Sequence, residues 1–274
     1  MSDILQDLST PSLISAIEEN LFALFSAYRK WPRAEVHDEA EILWTMTNIS
    51  FSMFNSILRA QLAPGQIDTI VQSILAQAES RNVPLLWWTG PITHPADLGR
   101  HLERHGFVSE GQMPGMAVDL ANLNENLPML SGLSVQRVTD DKTMKQWCQV
   151  CTAGFGLPDF VADAFYDLMC YVDPNTILAY LGWRNDQPVA TSLVMLAAGV
   201  AGIYNVATLP EARRQGIGAI TTLAPLREAK SRGYKAGVLQ SSKMGASVYR
   251  SMGFQEYCKI GQYVWSPEHK QGMG

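Results

Sequence analysis

One succession of elements is legible twice in this chain. Ala78-Glu79-Ser80-Arg81 closes one helical pattern and Ala229-Lys230-Ser231-Arg232 closes another. Each is followed by a strand pattern, a helical pattern and the dipeptide Gly-Phe, at Gly106-Phe107 and at Gly253-Phe254. The order agrees, and the spacing nearly so, over roughly forty residues; this is a domain-sized repeat, not a solenoid period. Alternation of this kind builds α/β layers, a mixed sheet flanked by helices. Its duplication predicts two related domains in tandem.

The spacing of apolar residues predicts a helix over Leu13–Tyr28, with Thr10-Pro11 as cap and first-turn proline. Short β-prone runs follow between Glu41 and Leu58. Then come a helix (Ile67–Ser80), a strand (Pro84–Trp88) and a helix (Asp97–His105). The polar, breaker-rich stretch Ala121–Gly132 reads as a linker. It separates an N-terminal domain, 1–125, from a C-terminal one, 132–274. In the second, strands are expected at Leu133–Val138, Thr176–Trp183, Val189–Ala197, Gly202–Thr208 and Ala236–Gln240. Helices are expected at Asp141–Thr152, at Asp159–Met169, after Gly218 as far as about Arg232, and just before Met252. Two short strands, Phe254–Tyr257 and Gln262–Trp265, close the chain.

Hydrophobic residues make up 47% of the 274, ample for packed cores, and the net charge of -5 argues against a nucleic-acid partner. The N-terminus lacks a basic region followed by an apolar run, and no stretch approaches the roughly 18 apolar residues of a membrane span. With only four cysteines, the simplest location is the cytoplasm. No membrane partner is expected.

The most informative segment is Glu211–Ile220, EARRQGIGAI, between a strand and a helix. A helix N-terminus leaves backbone N–H groups without partners and carries positive partial charge, which suits an anion. Gly216 and Gly218 let a phosphate approach the backbone, and Arg213 and Arg214 add charge; a purely structural turn is the competing explanation. A P-loop is excluded, because no Gly-Lys-Ser/Thr follows, and a dinucleotide fingerprint is excluded by Thr221 at its third glycine. In the first half the corresponding stretch is LAPGQID: Gly65 faces Gly216, but Ile67 faces Gly218 and apolar residues face both arginines.

Arg213-Arg214-Gln215-Gly216-Ile217-Gly218, the preceding VATLPEAR, and Tyr249 four residues before Gly253-Phe254 together resemble the GNAT N-acetyltransferase superfamily. The resemblance covers about the last 140 residues and is strongest over Val206–Trp265. It implies two GNAT-like domains in tandem, the N-terminal one degenerate, and acetyl-CoA as cosubstrate without a metal. By this resemblance the backbone of Val206, Ala207 and Thr208 pairs with the pantetheine arm. The N–H groups from Arg214 through Gln215, Gly216, Ile217 and Gly218 to Ala219 hold the pyrophosphate. The parallel strands starting near Gly202 and Ala236 splay around the thioester, Ser242 touches the cofactor, and Tyr249 protonates the leaving thiolate. The acceptor is an amine of a small molecule or peptide, contacted from about Phe155 to Asp173. The protein is a monomer or homodimer. A non-catalytic acyl-CoA binder or sensor is the alternative.

The pattern is departed from at three points. Ser242 stands where many members have Asn. Pro225 lies within the helix, removes a bond to the Thr221 carbonyl and is expected to kink or widen it. No general base stands out; Glu256 is the candidate. Cys148-Gln149-Val150-Cys151 has redox or zinc spacing but lies in a helical pattern. His101 and His105, with His94 nearby, lack the metalloprotease arrangement. Trp87-Trp88 places one ring on each face of a strand, as packing requires.

Overall fold

The computed structural model describes residues 3–128 and 130–267. The closing residues 268–274 of the expected C-terminal domain lie outside them. In chain order the helices are α1 (Thr10–Ser26), α2 (Ile67–Arg81), α3 (Leu98–Arg104), α4 (Asp141–Phe155), α5 (Phe160–Met169), α6 (Ile217–Ser231) and α7 (Ala246–Ser251). The strands are β1 (Glu35–Asp38), β2 (Leu43–Met46), β3 (Ser56–Leu58), β4 (Leu85–Thr89), β5 (Val108–Asp119), β6 (Leu133–Arg137), β7 (Ile177–Arg184), β8 (Gln187–Ala197), β9 (Val200–Thr208), β10 (Ala236–Gln240) and β11 (Gln255–Trp265).

Contacts divide the chain into two compact units, and neither is contiguous. One comprises residues 3–21 with Gly115–Tyr257; the other comprises Phe22–Pro114 with 258–267. This differs from a cut at the polar stretch 121–132. The difference has a physical origin. The end of β5 pairs antiparallel with β10, Gly115 to Asp119 against Gln240 to Ala236. The end of β11 pairs antiparallel with β4, Gly261 to Trp265 against Thr89 to Leu85. Each half of the chain thus supplies its last strand to the unit built mainly from the other half. The polar stretch is itself docked: Glu125 bridges Arg227 (2.8 Å) and Lys230 (3.0 Å) of α6, and the Asn124 N–H donates to the Met252 carbonyl.

In the first-half unit the strand order is β1, β2, β3, β4, β11, with β3 and β4 parallel and joined through α2. Trp87, Trp265 and Phe107 pack with α2 residues Ile67, Val71 and Ile74 in its core. Trp87 and Trp88 are both buried, as packing predicts for adjacent rings on a strand.

In the second-half unit the order is β5, β10, β9, β8, β7, β6, antiparallel except for β9 with β10. The βαβ crossover through α6 makes that one pair parallel. Leu223, Leu226 and Ala229 of α6 pack on Leu178, Val194, Ile203 and Leu239 of the sheet. Helix α4 starts at Asp140, whose side chain accepts from the Thr143 N–H at 2.9 Å, and lies against β8 and β9. No helix among the described residues is long and apolar enough to cross a membrane.

Pro225 does not interrupt α6, which runs unbroken through it. The Thr221 carbonyl that the proline leaves without its helical donor accepts from the buried Ser192 hydroxyl of β8 at 2.8 Å. The expected defect is satisfied by the sheet. Ser192→Ala should therefore cost about 1–3 kcal/mol in urea unfolding, by stranding a buried carbonyl. The cost should shrink when Pro225→Ala restores the helical N–H. Equal costs in both backgrounds would show that the hydroxyl does not serve this carbonyl.

Candidate active site

β9 and β10 are paired at only two register positions, Ala201 with Gly237 and Gly202 with Val238. β9 continues for six residues beyond the last pair, to Thr208, without β10 beside it. A bulge sits in this free portion: Leu193 of β8 faces Tyr204, but Thr191 faces Ala207. Asn205, inside the bulge, has φ +51°, and its carbonyl accepts from the Thr191 hydroxyl at 2.8 Å. Beyond Gly202 and Val238 the two parallel strands, expected to splay from near Gly202 and Ala236, share no backbone pair. Val206, Ala207 and Thr208 form one edge of the opening.

The loop after β9 leads into α6. Its first helical hydrogen bond runs from the Ile220 N–H to the Gly216 carbonyl. The N–H groups of Ile217, Gly218 and Ala219 thus have no partner within the helix, and no side chain caps them. Gly216 has φ +79°, a left-handed conformation that side chains resist. No other atom lies within 4 Å of where its Cβ would be, and at Gly218 the nearest is the Thr208 hydroxyl at 3.6 Å. Arg214 is also left-handed, at φ +60°, and makes no hydrogen bond or ion pair among the described residues. Left-handed residues in a turn curl successive N–H groups into an anion-binding concavity. The residues present fit a phosphate group.

Two loop side chains are tied to distant parts of the fold, and for Arg213 this differs from what the sequence suggested. Arg213 does not present its fork outward: Nε donates to the Thr208 carbonyl at 3.1 Å and Nη2 to the Gly154 carbonyl at 2.7 Å. It ties the loop to the end of β9 and the end of α4. That also occupies one acceptor on the Thr208 edge. Gln215 accepts from Arg184 at the end of β7. The sequence cannot reveal such ties, because their partners lie far along the chain.

Tyr249 of α7 packs edge-on against Phe254, with ring centroids 5.8 Å apart. Burial pushes its hydroxyl up to about 12, with the nearby Thr222 acting weakly in the other direction. Thr222 in turn donates to the Gly218 carbonyl at 2.8 Å. Ser242 is exposed and turned to a local task, accepting from the Gly245 N–H at 3.1 Å ahead of α7. Glu256 lies 3.4 Å from Arg250 in an ion pair, a poor setting for a base.

Residues 128–238 match the acetyltransferase (GNAT) domain family. This segment is a GNAT domain. The fold of the whole chain is similar to two bacterial structures described as GCN5-related N-acetyltransferases. For the one from Kribbella flavida the identity is 18% and the TM-score 0.71, over 92% of this chain and 95% of that one. For the one from Sphaerobacter thermophilus the values are 16% and 0.63, over 94% and 91%. A tandem GNAT protein from the clavulanic acid biosynthesis pathway is similar over 95% of both chains, at 12% identity and a TM-score of 0.58. At such identities the likeness is one of fold, and the fold is that of GNAT domains in tandem. No curated protein matches the sequence.

The first-half unit shows what the GNAT domain has kept open. There too the parallel strands pair at two positions, Ser56 with Leu86 and Ile57 with Trp87. Beyond them the chain fills its own gap. The His94 N–H donates to the Ala60 carbonyl at 2.9 Å, and the Leu62 N–H to the His94 carbonyl at 2.8 Å.

The cysteines and histidines of metal or redox spacing lie in α4 and along α3. Cys148 and Cys151 are free and buried in α4, and burial pushes the Cys151 thiol up to about 12. His105 pairs with Asp68 at 2.8 Å and His101 with Arg104 at 2.5 Å. No group of metal-ligating side chains occurs among the described residues.

The geometry sets the expected response of the loop. Gly216→Ala should lose about 1 kcal/mol in chemical unfolding, from backbone conformation alone. Gly218→Ala should be close to neutral, since its Cβ has room. The opposite ranking would place the backbone constraint elsewhere.

Proposed function

We propose that the GNAT domain is an acetyl-CoA-dependent N-acetyltransferase acting by direct transfer to an amine of a small molecule or peptide. The observation that carries this is a coincidence in space: β9 and β10 part just where the uncapped N-terminus of α6 opens beside β9. The backbone edge from Val206 to Thr208 would pair with an extended pantetheine arm, with the Thr208 carbonyl shared with Arg213. The N–H groups from Arg214 to Ala219 would hold the pyrophosphate, with Arg214 adding charge. Acetyl-CoA supplies the activated acyl group. Tyr249 is the proton donor for the leaving thiolate, since its raised pKa keeps it protonated across the neutral range. Ser242, committed to its turn, contributes little.

The second-half unit contains no histidine among its described residues, and Glu256 is held by Arg250. The acceptor amine therefore enters neutral, and its proton leaves through water. These same two facts favour a non-catalytic acyl-CoA binder as the second reading.

Thiol release from acetyl-CoA with a panel of amines separates the two. Turnover is expected, and Tyr249→Phe should lower kcat by roughly a hundredfold with little change in acetyl-CoA affinity. Binding without turnover on any amine would favour the sensor. The pH profile has a defined sign. kcat/KM should rise with pH through the pKa of the amine and show no descending limb below about 10, because Tyr249 stays protonated there. A descending limb between about 7 and 9 would assign the acid to another group.

A further inference from the structure

We propose that the N-terminal helix is a strut of the cofactor slot, and that Asn20 is the positioning residue that holds β9 and β10 apart. This rests on the reading of that opening as an acyl-CoA site. The repeat assigns α1 to the first half of the chain, yet its first twelve residues, to Leu21, belong to the compact unit of the GNAT domain.

Asn20 is fully buried. Its Nδ2 reaches three carbonyls around the β8–β9 turn: Ala197 at 2.9 Å, Met195 at 3.1 Å and Val200 at 3.5 Å. Its Oδ1 accepts from the Tyr204 hydroxyl at 2.9 Å. Every polar atom of the amide is used. One turn earlier on α1, the Ile17 carbonyl accepts from Gln240 Nε2 at 3.2 Å. Residues 3–5 cross the same turn, where the Leu5 N–H donates to the Gly199 carbonyl at 3.0 Å.

Two of the bonded residues, Tyr204 and Gln240, lie at the apex of the opening. Gly202 and Val238 form the last parallel pair. Tyr204 and Gln240 each lie two residues further on, on the same face as that pair. Helix α1 is thus bonded to β9 through Asn20 and to β10 through Ile17, at the level where backbone bonds between the strands cease. A helix is stiff, so two such ties fix a separation. Gly202 makes room for the contact: a Cβ there would fall 1.8 Å from Asn20 Oδ1. A purely packing role would need neither the saturated amide nor the missing side chain.

Asn20→Ala and the milder Tyr204→Phe test this by calorimetry with two probes. Acetyl-CoA requires the slot; its nucleotide fragment, 3′-phosphorylated ADP, requires only the loop and the α6 N-terminus. Asn20→Ala should weaken acetyl-CoA about tenfold or more while fragment affinity stays within about twofold. Tyr204→Phe should shift acetyl-CoA in the same direction by less. In turnover the KM for acetyl-CoA should rise more than kcat falls. Unchanged acetyl-CoA affinity in both variants overturns the strut. So does an equal loss for both probes, which would mark general loosening. Wild-type protein that binds neither probe defeats the cofactor reading instead, before any variant is compared. Hydrogen exchange across residues 204–208 then still decides: faster exchange in Asn20→Ala supports the strut, and unchanged exchange overturns it.

Discussion

Two parallel strands that pair at only two positions and then separate impose the constraint around which the second-half unit is organised. A sheet edge exposed inside a protein needs partners for its N–H and C=O groups. On the β9 side some of that demand is met locally. The bulge at Asn205 hands its carbonyl to Thr191, and Arg213 takes the Thr208 carbonyl. What remains is an extended edge beside a helix N-terminus, and both call for the same kind of occupant: an extended chain with an anionic group at one end.

Helix α6 links the two features. Its register is fixed by packing on the sheet through Leu223, Leu226 and Ala229. Its internal proline is accommodated because Ser192 bonds the freed carbonyl. Its first turn can therefore be left uncapped without the helix losing its place. Tyr249, on the separate helix α7, packs against the same core as α6, so proposed acid and proposed anion site rest on one packed layer. The first-half unit carries the same crossover, but residues 60–62 and His94 bond across the space beyond its parallel pair. Loss of the loop chemistry and loss of the open edge go together.

What was legible in the sequence was local. The helix periods, the paired Gly-Phe dipeptides and the glycine loop each depend on residues within one element or one turn, and the structure places them accordingly. Strand β5 was not marked, because Gly111, Pro114 and Gly115 interrupt it and its first residues are exposed. The reciprocal placing of β5 and β11 was hidden for a different reason: pairing is a property of distant segments. The same holds for Asn20, whose carbonyl partners lie about 175 to 180 residues further on. A lone Asn in an amphipathic pattern carries no mark of such a role. Arginines at an anion loop are legible as charge, but only the structure shows that Arg213 faces the protein and Arg214 does not.

The central claim is that the parting of β9 from β10 and the open first turn of α6 form one acetyl-CoA site. The most direct test is a calorimetric titration of the purified protein with acetyl-CoA, repeated with Gly218→Arg, which puts a long side chain into the first turn of α6. The account predicts micromolar binding to the wild type and none to the variant. Wild-type protein that does not bind, or a variant that binds equally well, would contradict it and leave the two glycines as parts of a turn.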